Sequence, residues 1–132
     1  MRIWRVAGAA LLALAMVSCG AQGSGGAGSV SVDEKDNGHT VRVPVGATVT
    51  LVLHNTYWRL SPVPAGGVLR ATAEPRYSAP PPGKGCVPGG GCGTVTASFS
   101  ADRAGAATVV ATRTSCGEAR GCSPDQARYA VV

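Results

Sequence analysis

Aromatic side chains are scarce in this 132-residue chain, which has two Trp, three Tyr and one Phe, with Trp4 in the N-terminal stretch. Any core must therefore be mostly aliphatic, built around one or two aromatic centrepieces. Charge is thin as well, at 14% Asp, Glu, Lys and Arg. The basic residues stand singly, without the clusters that hold nucleic acid, so no nucleic-acid partner is expected. Both methionines, Met1 and Met16, precede Cys19, so a chain beginning at Cys19 lacks the usual axial ligand of a blue-copper site. His39 and His54 are far apart in sequence, no G-x-S-x-G elbow surrounds a serine, and the acidic group Asp33, Glu34 and Asp36 has the character of a solvated edge. GKGCVPGGGCG lacks the Lys-Ser/Thr ending of a phosphate-cradling loop. These absences predict a protein that is not an enzyme and that holds neither cofactor nor metal.

What is present begins at the N-terminus. Arg2 and Arg5 form a short basic region, residues 6–17 an apolar one, and Ser18 a small residue at a cleavage position. The apolar run is shorter than the roughly 20 residues a membrane span needs. Met16-Val17-Ser18-Cys19 resembles the lipobox of bacterial prolipoproteins. The resemblance implies a signal peptide over 1–18, a lipid on Cys19, and export to the outer face of a bacterial cell membrane. Residues 19–29, rich in Gly, Ser and Ala, then read as a flexible tether, and 30–132 as one domain. Removing Arg2 and Arg5 leaves ten basic against seven acidic residues, so the formal charge falls from +5 to +3. Abundant Ala, Gly and Val, with only two Lys, suit a high-GC bacterial genome.

Five cysteines are an odd number, and assigning Cys19 to a thioether leaves Cys86, Cys92, Cys116 and Cys122. They fall in two pairs of equal i, i+6 spacing. In an oxidising compartment disulfides are expected, and a zinc site is disfavoured because the two-residue gap of a knuckle is missing. Four cysteines allow three connectivities; local pairing is preferred because short polar or Gly/Pro-rich segments join each pair.

The domain is expected to be all-β. HTVRVPV (39–45), TVTLVLH (48–54), GTVTASFS (93–100), AATVVATRTS (106–115) and ARYAVV (127–132) alternate or carry β-branched runs, with shorter candidates at 29–33 and 67–72. No later window shows a long helical period. About seven strands separated by Gly, Pro and Asp turns predict an immunoglobulin-like β-sandwich. Trp58 is expected in the core and Tyr57, its neighbour, on the surface; Arg113 and Glu118 are placed as a surface pair. The Pro- and Gly-rich stretch from Tyr77 to Gly93 is expected to be an exposed loop, pinned by Cys86 and Cys92.

A strand ending in Asn55-Thr56-Tyr57-Trp58, a glycine-rich middle loop, and a Gly105-led strand ending at Arg113 resemble the chagasin-type inhibitors of papain-like cysteine proteases. Those are immunoglobulin-like sandwiches that push three loops into the enzyme cleft. The resemblance covers 39–132 and implies contacts from Asn55, Thr56 and Tyr57 in the first loop, Gly89, Gly90 and Gly91 in the second, and Arg113 at the opening of the third. The Pro and Thr-Gly of the family's first loop are missing here, and Thr114-Ser115-Cys116 stands where Pro-Trp follows the arginine. The implied mechanism is shape complementarity to the cleft, with no reactive bond. The alternative function is a structural or partner-binding surface lipoprotein without inhibitory activity.

Overall fold

The computed structural model describes residues 28–80, 85–87, 89–116 and 121–132. Its elements are β1 (Ser29–Val32), a single helical turn at Glu34–Asp36, β2 (Thr48–His54), β3 (Arg59–Leu60), β4 (Leu69–Ala71), β5 (Arg76–Ser78), β6 (Thr94–Ala101), β7 (Val109–Thr112), α1 (Pro124–Ala127) and β8 (Arg128–Val131). They form two sheets, as an all-β sandwich requires.

The larger sheet runs β1-β2-β6-β4, with β5 also on β6. Its centre is the antiparallel β2-β6 ladder, in register from Thr48 opposite Ser100 to His54 opposite Thr94. Period-two patterning explains the pairing: Val49, Leu51 and Leu53 face inward opposite Phe99, Ala97 and Val95, and all six are buried. Each large side chain so buried contributes about 1.5–3 kcal/mol. β4 pairs with Ser100 and its neighbours, β5 with Thr94 to Thr96, so the two form one edge strand broken between them. The break contains Pro75, which has no N–H to give the ladder. β1 runs parallel to β2, Ser29 beside Thr48 and Val32 beside Leu51.

The smaller sheet is β3-β7-β8, all antiparallel. Ala111 and Val109 of β7 and Tyr129 and Val131 of β8 face the larger sheet and are buried. Trp58, just before β3, is buried and meets Tyr129 edge-on, with ring centroids 6.5 Å apart and planes at 73°. The core is thus a layer of Val, Leu and Ala around Phe99, Trp58 and Tyr129.

Segment 39–45 departs from expectation, because it is not a strand. The N–H of Gly38 donates to the carbonyl of Ala130 and that of Val41 to Val132, so the chain begins to follow β8, but the pairing stops there. Pro44 supplies no donor, and the segment turns at Val45 and Gly46 into β2. Val41 and Val43 still pack against the core, whereas Val45 is 54% exposed. The loop expected from Tyr77 begins later, since Arg76–Ser78 is ladder-paired to β6.

The ladders define two poles. At one lie the end of β2, the starts of β6 and β8, and the ends of β5 and β7 (the loop pole). At the other lie the start of β2 and the ends of β6 and β8 (the base pole). The chain enters β1 at the base pole, where the carbonyl of Gly28 accepts from the Thr48 N–H.

Candidate functional site

Three connections meet at the loop pole: residues 55–58 between β2 and β3, the stretch leading from β5 to β6, and the β7-β8 connection. They are the three segments in which contact residues were expected. Cys19 lies outside the described residues, as does Glu118, the expected partner of Arg113.

Asn55 organises the first connection. Its φ of 119° is unusual for any residue but glycine, and Asn tolerates it best because its side chain can bond its own backbone. Oδ1 accepts from the Tyr57 N–H at 2.8 Å, and Nδ2 donates to the Gly90 carbonyl at 3.2 Å. The Tyr57 hydroxyl donates to the Gly89 carbonyl at 2.7 Å. Two backbone bonds run alongside, from Asn55 N–H to Gly93 and from Thr56 N–H to Gly91, at 2.9 and 2.7 Å. The first connection therefore holds the glycine stretch along its length. Of Asn55 and Tyr57, expected as contact residues, the Asn55 Nδ2 and the Tyr57 hydroxyl are bonded to the second loop, and Asn55 Oδ1 to the first connection itself.

The glycines are required by this closeness. At Gly91, with φ of +68°, a Cβ would stand 2.6 Å from both Asn55 Oδ1 and the Tyr57 ring; at Gly93, with φ of +118°, it would stand 2.0 Å from the Ser78 carbonyl oxygen. A disulfide joins Cys86 to Cys92, Cα atoms 6.0 Å apart, and the Gly90 N–H donates to the Val87 carbonyl inside that ring. The closed turn carries Val87 on its outside, 59% exposed.

The third connection is fixed from inside. The Arg113 guanidinium lies 4.4 Å from the Trp58 ring centroid, a cation-π contact, and its Nε donates to the Gln126 carbonyl at 2.9 Å. Beyond it Cys116 and Cys122 are bonded, Cα atoms 5.0 Å apart, with Ser115 and Gly121 bridged. α1 is capped by Ser123, whose hydroxyl lies 2.5 Å from Asp125 Oδ1; that hydrogen bond holds the Asp125 carboxyl below the usual carboxylate range.

Two residues were missed by the sequence and matter here. Arg59 Nη1 donates to the carbonyls of Thr56 and Trp58, and its guanidinium lies 5.1 Å from the Tyr77 ring centroid, tying β5 to the first connection. Tyr77 itself is 50% exposed. The signals available were Arg59 next to Trp58 and an aromatic residue bordering the proline run. The pole thus presents a glycine edge whose carbonyls at Gly89, Gly90, Gly91 and Gly93 are tied inward to the first connection, which stiffens it, flanked by the exposed apolar surfaces of Val87 and Tyr77. Such an edge suits recognition of an extended, partly apolar groove.

Neither a family model nor a curated protein matches the chain. Among solved structures, the solution structure of amebosin is similar in fold, at 18% sequence identity and a TM-score of 0.50, over 81% of this chain and 95% of amebosin.

Proposed function

We propose that this protein is a non-enzymatic, lipid-anchored binding domain of the bacterial cell envelope that inhibits papain-like cysteine proteases in the manner of chagasin-type inhibitors. The observation that carries the proposal is the glycine edge at the loop pole, closed by the Cys86–Cys92 bond and held by Asn55 and Tyr57. Because the edge is already ordered, little conformational entropy is lost when it docks. Export and attachment through Cys19 rest on the lipobox resemblance, and they would tether the domain from its base pole, where the chain enters, leaving the loop pole free to meet a partner. The roles within the loops differ from those the family resemblance implied. The contacts to the protease come from Gly89, Gly90 and Val87, while Asn55, Tyr57 and Arg113 hold the loops that make them.

The test is steady-state titration of papain with the chain while following substrate hydrolysis. Competitive inhibition by the wild type, weakened about tenfold or more by Val87→Asp, is expected, because a charge placed at a desolvated contact costs more than about 1.4 kcal/mol. Absence of inhibition at micromolar excess contradicts it.

One observation favours a second function. Arg113 is committed to Trp58 and Gln126, and no Pro-Trp follows it, so the third connection lacks the family's contact pair. A partner-binding envelope lipoprotein that uses only the glycine edge and Val87 fits that arrangement, and it predicts binding without inhibition.

A further inference from the structure

The base pole carries a second surface unrelated to the loops. A cleft of about 450 Å³ opens between the two sheets there, within the roughly 300–1,000 Å³ of small-molecule sites. One wall is segment 40–45, the other the turn 103–107, and the floor includes Phe99, Val109 and Val131. Its mouth carries exposed apolar side chains. Among the described residues the four large apolar side chains most exposed are Val45, Tyr77, Val87 and Val132, and Val45 and Val132 both line this cleft. The other two belong to the loop pole.

Its charge is one-sided. Arg42 stands on one wall and Arg103 on the other, and among the described residues no Asp or Glu lines the space. The nearby carboxylate of Asp102 is taken up by the Ser100 hydroxyl and Arg70 Nε, at 2.7 and 2.9 Å. Arg42 and Arg103 make no close ion pair or side-chain hydrogen bond among the described residues, although the Arg103 charge, with that of Arg70, also helps hold the neighbouring Asp102 carboxyl below the usual carboxylate range. A slot that is apolar within and doubly cationic at its rim suits an amphiphile with a hydrocarbon tail and an anionic head.

Position narrows the class. Residues 1–27, with their apolar run and Cys19, join the domain at this same pole, so the end nearest a bilayer would be the end with the cleft. We propose that the cleft binds an acyl chain of an anionic phospholipid, its headgroup held by Arg42 and Arg103. Each methylene moved from water into the slot raises affinity roughly fourfold, so a partly inserted tail suffices for measurable binding. Occupied in this way, the cleft would seat the domain against the membrane surface and set the loop pole outward.

The test uses the full chain with vesicles of phosphatidylglycerol carrying a photoreactive diazirine on one acyl chain, followed by peptide mapping of the cross-links. Cross-links on 40–45 and 103–107 are expected. They should fall about tenfold or more in Val45→Asp and in Ala107→Trp, which fills the slot. Arg42→Glu with Arg103→Glu should give a similar fall on anionic vesicles and little change on phosphatidylcholine vesicles carrying the same label. Val45, Arg42 and Arg103 are exposed, so those variants keep the fold if Ala107→Trp does not. Labelling confined to residues 1–27, labelling equal in wild type and Val45→Asp, or loss of labelling through dimerisation of the chain would each overturn the proposal.

Discussion

At the scale of single residues, Tyr129 is the most exposing probe of the core. Its hydroxyl is buried with no hydrogen-bond partner among the described residues, and burial, reinforced by the carboxylates of Asp36, Asp33 and Glu34, pushes its pKa well above the usual tyrosine value. The folded state therefore keeps the phenolic proton at a pH where the unfolded chain has released it. Stability is full below about pH 10 and falls above it, at up to about 1.4 kcal/mol per pH unit. Tyr129→Phe should match or exceed wild-type stability at pH 7 and lose that alkaline slope, as denaturant titrations at pH 7 and above pH 10 would reveal; an unchanged slope would place its origin elsewhere. Gly93→Ala combines a disfavoured φ with a 2.0 Å approach to the Ser78 carbonyl, so a loss of about 3 kcal/mol is expected in the same titration. Asn55→Ala removes two side-chain bonds and adds backbone strain, for about 2 kcal/mol. Asn55→Gly should recover the strain part only. Trp58 was legible from the sequence, because a single Trp in a small sandwich has few places to go but the core. Tyr57 was not: strand alternation put it outside, and its bond to Gly89 spans 32 positions. No local pattern encodes a contact of that separation.

At the scale of elements, the strands that alternate strictly were the readable ones. β2 runs Thr48–His54 as the pattern required, and β6 and β8 turn Val95, Ala97, Phe99, Tyr129 and Val131 inward. β3 and β5, of two and three residues, were invisible because such short stretches carry no period and are held by the strands beside them. Segment 39–45 shows the reverse case. Its valine alternation reports contact with the core, which holds for Val41 and Val43, and does not report a full ladder, since the backbone bonds to β8 and Val132 come only from Gly38, His39 and Val41. The two local disulfides close seven-residue rings, and each stabilises by only about 2 kcal/mol on the chain-entropy account. Reduction should therefore leave the β2-β6 ladder folded while loosening 85–87, 89–93, 113–116 and 121–127. Amide hydrogen exchange before and after reduction would show protection kept at Leu51, Leu53 and Val95 and lost at Gly90, whose N–H donates to Val87 within the ring. Collapse of protection throughout would mean that the rings, and not the aliphatic layer, hold the fold.

At the scale of the whole molecule, the sandwich separates two surfaces. Val87 and Tyr77 lie at the loop pole and Val45 and Val132 at the base pole, with the buried layer between them. The sequence made the first surface legible through its prolines, glycines and cysteines. The base cleft left no motif, since its walls come from a turn at 103–107 and a stretch at 40–45 that meet only after folding. The separation predicts independence: substitutions at Val45, Arg42 or Arg103 should leave protease inhibition unchanged, and Val87→Asp should leave lipid cross-linking unchanged, because distant sites without shared partners act additively. The central claim is that the glycine edge enters a protease cleft, and its most direct measurement is calorimetric titration of the chain against papain with its cleft free and with the cleft filled by a bulky covalent peptide inhibitor. Binding to the free enzyme, abolished when the cleft is filled, is the predicted result; equal binding to both forms, or binding to neither, would contradict it.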